Sequence, residues 1–230
     1  MAQNPLTKVA EAMRARRHRR RVQAIFLHIP KTAGQSVRRV LSDHRFVLSD
    51  TKQQWLGWEG DYTHERWATT GYARVLREEL GDVVWDRSFK FSFVRNPWDR
   101  AVSAWRYLDR PRDLAHGLSF PEFLSQIRTI TPRYAPEDRA RNKFSWHVEP
   151  QASQLLDANG KILVDFVGRT ETLQADFDEV CTRLEIPKAE LPRVNTTERS
   201  AYQDYYDDDS RQAVAEFYAR DIETFGYSFD

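Results

Sequence analysis

The sequence predicts a three-layer α/β fold in which helices cover both faces of a mostly parallel central sheet. Three short apolar runs have the character of buried strands, and each is followed by a segment with helical spacing of its apolar residues. Strands that alternate with helices along one chain are typical of parallel sheets. The 230 residues, 40% of them hydrophobic, suffice for one domain with a substantial core.

The first predicted strand is AIFLHI, residues 24–29. Its uninterrupted apolar character is typical of a strand that is buried on both faces. A loop with a glycine follows, and then a helix is predicted because Val37, Val40 and Leu41 have i, i+3, i+4 spacing. The segment GYARVLREELG, closed by Gly81, predicts a second helix.

The second predicted strand is FKFSFV, residues 89–94, and clear helix-start signals follow it. Asn96 suits the N-cap, Pro97 the first turn, and Asp99 the positive end of the helix dipole. Residues 109–150 are rich in proline, arginine and polar residues, so we predict irregular structure there, with one short helix, SFPEFLSQI.

The third predicted strand is KILVDFVG, residues 161–168. The next helix is indicated by apolar residues that share one face: Leu173, Phe177, Val180 and Leu184. A last helix is predicted from about residue 210 to residue 225.

Residues 1–21 form a basic extension, and residues 22–230 are predicted to form the single domain. Six arginines lie between Arg14 and Arg21, which favours a solvated arm over a nucleic-acid or anionic-surface arm, because no aromatic residue is interleaved with them. The net charge of +1 gives no general reason to expect a nucleic-acid partner. The single cysteine, Cys181, the lack of a signal-peptide core and the lack of a long apolar run predict a cytoplasmic protein without a membrane span.

The stretch FLHIPKTAGQS predicts an anion-binding loop between the first strand and its helix. Backbone N–H groups and the helix dipole converge at such a junction, Lys31 adds a full charge, and Thr32 and Ser36 add hydroxyl donors. Gly34 is expected to let the backbone approach a ligand closely. The P-loop pattern G-x-x-x-x-G-K-[ST] is not matched, because the lysine precedes the glycine.

The stretch FVRNPWDRAVSAW predicts a second anion site after the second strand. Arg95 stands where that strand ends, at the edge where α/β sheets bind ligands, and a guanidinium suits a phosphate. The alternative is that Arg95 and Arg100 pair with Asp99 and nearby acids.

The two motifs together resemble those of a known enzyme family. HIPKTAGQS resembles the 5′-phosphosulfate-binding loop of sulfotransferases, and VRNPWDRAVSAW resembles their 3′-phosphate-binding motif. With WHVEPQ, FVGRTETLQADF and the segment from NTTERSAYQDYY onward, the chain resembles sulfotransferase family 2, which includes carbohydrate sulfotransferases. The resemblance implies a P-loop-NTPase-like sulfotransferase fold and transfer of a sulfuryl group from PAPS (3′-phosphoadenosine 5′-phosphosulfate) to an acceptor hydroxyl, favoured to be on a carbohydrate or glycoconjugate, with PAP as product and no metal.

The resemblance also implies roles for individual residues. Contacts to the 5′-phosphosulfate are implied for Lys31, Thr32, Ala33, Gly34, Gln35 and Ser36, and contacts to the 3′-phosphate for Arg95 and Ser103. Gln35 departs from the family pattern, which usually has a hydroxyl residue there. Asn195, Thr197 and Arg199 resemble a late family segment that can close over the 3′ end of the cofactor. Arg169 is a candidate either for the nucleotide or for a pair with Glu171.

A general base must accept the proton of the attacking hydroxyl. We predict His64 for this role because histidine titrates nearest neutral pH, with Glu65 and His147 as the alternatives.

Two other functions stay open on the sequence alone. An atypical nucleotide-dependent kinase would need a carboxylate for magnesium at a strand end, and neither Arg95 nor Gly168 and Arg169 supplies one. A non-catalytic binder of anionic polymers would use residues 14–21 and the basic loop from Arg133 to Lys143. That loop also gives a weak indication of an acidic acceptor.

Overall fold

A computed structural model of the chain describes residues 24–41, 47–49, 72–110, 115–129, 139–192 and 200–230. Its sheet has four parallel strands: β1 Ala24–Leu27, β2 Val47–Ser49, β3 Phe89–Val94 and β4 Phe166–Arg169. The strand order is β2-β1-β3-β4. The helices are α1 Gly34–Leu41, α2 Tyr72–Leu80, α3 Asp82–Arg87, α4 Pro97–Leu108, α5 Phe120–Arg128, α6 Arg139–Val148, α7 Gln151–Leu155, α8 Leu173–Arg183, α9 Asp208–Phe217 and α10 Ala219–Phe225.

Apolar side chains project from both faces of the sheet, as the continuous apolar run of β1 predicted. Ile25 and Leu27 of β1 pack in one core with α2 and α7. Phe26 of β1 packs on the other face with Phe91 and Phe93 of β3, and α1 and α8 cover that core. Helices therefore lie on both sides of a parallel sheet, and the predicted three-layer α/β fold is confirmed.

A third core lies beside the sheet and joins α4 to α5, α6 and α9. The start of α4 is as predicted, because the Asn96 side chain accepts a hydrogen bond from Trp98 N at 3.0 Å and Pro97 is the first helical residue. The α2 helix ends at Leu80, and Gly81 follows with a positive φ of 78°. Both helix boundaries therefore follow from local chemistry.

Several predicted elements differ from the observed ones. The strand predicted over 161–168 begins only at Phe166, because residues 157–161 form a turn in which the Asp157 carboxylate accepts from Asn159 N and Lys161 N. The last helix is interrupted at Tyr218, whose φ and ψ are −104° and 23°. The buried Tyr218 hydroxyl donates to Val148 O, so a tertiary contact fixes the residue at which the helix breaks.

The prediction of one short helix within 109–150 was incomplete. The predicted helix is α5, and the structure adds α6, which buries Phe144 and Val148 one turn apart. The strand β2 and the short helix α3 were also missed. The α6 helix was missed because basic residues in 139–143 interrupt the apolar spacing that predicts a helix. The β2 strand was missed because three residues are too few to show a strand pattern.

Candidate active site

The sheet topology places the two predicted anion motifs side by side. From β1 the chain passes to β2 on one side, and from β3 it continues to β4 on the other. The carboxyl ends of β1 and β3 therefore flank a switch point, where α/β sheets bind ligands. Lys31 follows β1 and Arg95 follows β3, and Arg95 Nη1 donates to the Lys31 carbonyl oxygen at 3.2 Å.

The loop after β1 has an unusual backbone. Lys31 and Ala33 both have left-handed conformations, with φ of 70° and 59°. Alternation of left-handed and other conformations turns successive N–H groups toward one point and forms an anion-binding concavity. The α1 helix begins immediately afterwards at Gly34, and two N–H groups of its first turn, those of Ser36 and Val37, donate to Ala33 O. The helix contribution to an anion site therefore falls to the N–H groups before them. This backbone is of the kind that binds anions, and the anion site of the motif stays a prediction.

Two side chains of this loop have contacts that the sequence did not indicate. The Thr32 hydroxyl is buried and donates to Ile29 O at 2.8 Å, so its proton serves the loop itself and not a ligand. Gly34 was predicted to let a ligand approach, but a Cβ on Gly34 would lie 1.9 Å from the ring of His28. The glycine is needed because the buried His28 ring, stacked on Phe26, occupies that space. Gln35 is exposed and Ser36 is buried.

Lys31 carries a charge that its surroundings disfavour. Its ammonium lies 4.0 Å from the centroid of the Tyr107 ring, a cation–π contact. Burial and the neighbouring guanidinium groups of Arg95, Arg110 and Arg100 lower the pKa of Lys31 to about 8. A bound anion would relieve both the desolvation and the repulsion between like charges.

Arg95 is fixed by three neighbours. Its Nε donates to Asp99 Oδ2 at 2.7 Å, which was the alternative pairing considered for this arginine. Its Nη1 donates to the Lys31 carbonyl, and the Gln151 side chain holds its backbone. The two side-chain bonds use two of the five N–H donors of a guanidinium, which leaves capacity for a phosphate.

The face of α4 that carries Asp99 connects the two cations. Asp99, Ser103 and Tyr107 follow one another at i, i+4 and i+8, so they lie along one stripe of the helix. Asp99 binds Arg95, Tyr107 contacts Lys31, and the half-buried Ser103 lies between them. At 1.5 Å per residue the stripe from Asp99 to Tyr107 is roughly 12 Å long.

Arg100 has a structural role. It is buried, and its guanidinium donates to three backbone carbonyls, those of Pro30, His147 and Glu149. Among the described residues the hydrogen bonds of Arg100 thus go to backbone carbonyls and not to acidic side chains, although its charge acts on the nearby carboxyls of Glu149 and Asp221. These bonds fasten the end of α6 and the residue after it to the loop that carries Lys31.

The segment WHVEPQ, residues 146–151, reaches the site through these bonds. The His147 ring is buried and stacks on Tyr107 with 4.7 Å between centroids, on the ring that also contacts Lys31. Burial raises the pKa of the Glu149 carboxyl to about 7, although hydrogen bonding from Ser153 and the charge of Arg100 oppose the shift.

Of the other predicted residues, Arg169 lies opposite Val94 at the end of β4, and several others lie outside the described part. Arg169 donates to Phe225 O and lies over the Tyr227 ring, so these contacts are with the C-terminal segment and not with Glu171. The other alternative for Arg169, contact with the nucleotide, stays a prediction. His64, Glu65 and Thr197 lie outside the described residues, as do the arginines of residues 14–21.

The sequence interpretation missed three residues of the site: Tyr107, Glu149 and Gln151. Tyr107 could have been found by continuing the i, i+4 series from Asp99 through Ser103. Gln151 and Glu149 are in a segment whose resemblance was noted, but no local signal indicates their long-range contacts. Among the described residues, no group of three or more His, Cys, Asp or Glu side chains could hold a metal ion. The helices of the described part also include none that is long and apolar enough to cross a bilayer.

Comparison with known proteins agrees with the motifs and the topology. A model of the sulfotransferase family matches residues 17–228. An uncharacterized protein of Archaeoglobus fulgidus is 30% identical over 134 residues, which are 56% of this chain and 95% of that protein. The crystal structure of a sulfotransferase from Alicyclobacillus acidocaldarius shares the fold, with a TM-score of 0.51 and 19% identity over 87% of this chain and 93% of that chain. Because the family model spans nearly the whole chain, the protein belongs to the sulfotransferase family, in the family 2 group that its motifs resemble, and its reaction class is sulfuryl transfer.

Proposed function

We propose that the protein transfers the sulfuryl group of PAPS to a hydroxyl of a carbohydrate or glycoconjugate. The observation that supports PAPS is the pair of cations, Lys31 and Arg95, at adjacent strand ends and joined by the bond from Arg95 to the Lys31 carbonyl. PAPS carries a reactive phosphosulfate at its 5′ end and a separate phosphate at its 3′ end. Asp99 accepts from the Arg95 guanidinium and Tyr107 contacts the Lys31 ammonium, so the two cations meet different residues of α4.

Lys31 and the loop backbone would hold the 5′-phosphosulfate, and Arg95 with Ser103 would hold the 3′-phosphate. Negative charge develops on the leaving phosphate during in-line transfer, and Lys31 belongs to the loop that would hold it. Removal of such a donor from a water-excluded site typically costs roughly 3–4 kcal/mol in the barrier, or 10²–10³ in rate. No metal is given a role in this scheme.

The general base in the proposal is His64, which would accept the proton of the acceptor hydroxyl. His147 is an alternative general base that lies within the described part of the chain. Its ring stacks on Tyr107, which also contacts the Lys31 ammonium. We expect His64→Ala to lower the rate of sulfuryl transfer while PAP affinity stays unchanged, because the base touches the acceptor and not the nucleotide. A wild-type transfer rate in His64→Ala at saturating acceptor would reject this base and move the assignment to Glu65 or His147.

The proposal is tested by incubating the protein with sulfur-35-labelled PAPS and a panel of glycans and small alcohols. We expect label on a carbohydrate, no transfer from ATP to the same acceptors, no effect of EDTA, and a loss of at least 100-fold in Lys31→Ala. Transfer from ATP that EDTA abolishes would instead support a kinase. Deletion of residues 1–21 should leave turnover intact, whereas a binder of anionic polymers would lose its partner. We place this activity in the cytoplasm, supported by the single cysteine, Cys181.

A further inference from the structure

A buried side chain from a distant helix holds the backbone of Arg95. Gln151 is the first residue of α7 and has no exposed surface. Its Oε1 accepts from Arg95 N at 2.9 Å, and its Nε2 donates to Arg95 O at 2.9 Å. One amide group thus binds both polar groups of a single residue, in the way a neighbouring strand would, just beyond the last residue of β3.

The amide is itself oriented by a buried carboxylate. Asp221 of α10 has no exposed surface, and its Oδ2 accepts from Gln151 Nε2 at 3.2 Å and from Gln151 N at 2.9 Å. Its Oδ1 accepts from Ala152 N at 2.7 Å, so Asp221 also caps α7. The backbone N–H of Arg95 can only donate and its C=O can only accept, so the Gln151 oxygen must face the first and its NH₂ the second, and the remaining N–H of that NH₂ faces Asp221.

These contacts form a continuous series from the last helix to the loop of Lys31. Asp221 binds Gln151, Gln151 binds the Arg95 backbone, and the Arg95 side chain binds the Lys31 carbonyl. The backbone of Arg95 determines where its guanidinium points. Both N–H donors of the buried Gln151 amide are used, so the Arg95 backbone is favoured in one position. Displacement of that backbone would leave buried polar groups without hydrogen-bond partners, which costs free energy.

We propose that Gln151 is a positioning residue, held by Asp221, that sets the location of Arg95 for the 3′-phosphate of the cosubstrate. The inference rests on the proposed function, since it takes Arg95 as the 3′-phosphate ligand. Gln151 does not touch the ligand in this scheme, so its effect passes entirely through Arg95.

The same helix offers a matched control. Gln154 is also a glutamine of α7 without exposed surface, but neither atom of its amide has a hydrogen-bond partner among the described residues. Replacement by methionine keeps the length of either side chain and removes the amide. Only at Gln151 does this change remove contacts with Arg95.

The experiment measures two ligands by calorimetry: PAP, which has the 3′-phosphate, and adenosine 5′-phosphosulfate, which lacks it. Wild type, Arg95→Ala, Gln151→Met, Gln154→Met and the double variant Arg95→Ala/Gln151→Met are compared. We expect Gln151→Met to weaken PAP roughly tenfold, the scale of one or two hydrogen bonds, and to change the other ligand little. In the Arg95→Ala background, Gln151→Met should cause no further loss of PAP affinity. Gln154→Met should bind both ligands with wild-type affinity.

The outcomes separate this inference from the function on which it rests. Equal losses for both ligands in Gln151→Met, or an additive loss in the double variant, would show a general structural effect and overturn the inference. If Arg95→Ala discriminates between the ligands but Gln151→Met does not, only the inference fails. If Arg95→Ala leaves PAP affinity unchanged, the 3′-phosphate assignment and the inference fail together. Should Gln151→Met not fold, Asp221→Asn tests the same link, and an unchanged PAP affinity in that variant counts against it.

Discussion

The titration of Lys31 gives a quantitative prediction for ligand binding. Its pKa is lowered from 10.5 to about 8 by burial and by the guanidinium groups of Arg95, Arg110 and Arg100. Below pH 7 the ammonium is almost fully protonated, whereas at pH 9 only about one molecule in ten carries the proton before ligand binds. The phosphate groups of PAP change little across this range, from about nine-tenths doubly ionised at pH 7 to almost fully so at pH 9, since their second pKa is about 6. PAP affinity should therefore fall about tenfold between pH 7 and pH 9, because binding must then include uptake of a proton.

Calorimetry of PAP at both pH values, in buffers of different ionisation enthalpy, measures the affinity and the number of protons taken up. Lys31→Arg is the control, because arginine keeps the charge and does not titrate in this range. Glu149, with a pKa of about 7, ionises near the lower end of the range, but the control retains it and so corrects for it. If Lys31→Arg loses affinity between pH 7 and pH 9 as steeply as wild type, Lys31 is not the titrating group.

Two further predictions concern stability. Gly34→Ala should destabilise the protein by roughly 1–3 kcal/mol in thermal melts, because the added Cβ would lie 1.9 Å from the His28 ring, and Gly34→Ala/His28→Ala should recover part of the loss. Equal destabilisation in the single and double variants would point to the backbone and not to His28. Burial raises the pKa of Glu149 from 4.5 to about 7. Between pH 4.5 and pH 7 the folded chain therefore keeps a proton on Glu149 that the unfolded chain has lost. The free energy of unfolding consequently falls as the pH rises through this window. Glu149→Gln should therefore stabilise the protein at pH 8 by up to about 3 kcal/mol and have little effect at pH 4.5, as measured by urea unfolding. If the substitution raised the free energy of unfolding equally at both pH values, burial of the Glu149 charge would not be the cause.

The fold class could be predicted because its main signals are local. The continuous apolar run of β1 indicated burial on both faces, and Asn96 and Pro97 marked the start of α4. The strand order could not be predicted in this way, because it depends on which distant segments pair. The break at Tyr218 has the same origin, since it accompanies a bond to Val148, 70 residues away.

The candidate site was predictable to the extent that its residues follow strands. Lys31 and Arg95 were found because each stands just after an apolar run, and parallel strands bring their carboxyl ends to one edge. The packing reason for Gly34 could not be predicted, because the sequence does not show where the His28 ring lies. Gln151 could not be assigned, because its contacts with Arg95 span 56 residues.

The structure holds the two cations in different ways, and the difference fits the two roles proposed for them. Arg95 is fixed by an ion pair with Asp99 and by the buried amide of Gln151, so it is preorganised, and binding costs it little conformational entropy. The described contact of the Lys31 ammonium is with the Tyr107 ring, which gives it no hydrogen-bond acceptor, and its positive charge is disfavoured by burial. The charged form of such an ammonium is stabilised strongly when an anion binds beside it, and the stabilisation increases as negative charge develops on that anion. A rigid cation suits a phosphate that only has to be recognised, and a destabilised one suits the phosphate at which the charge changes.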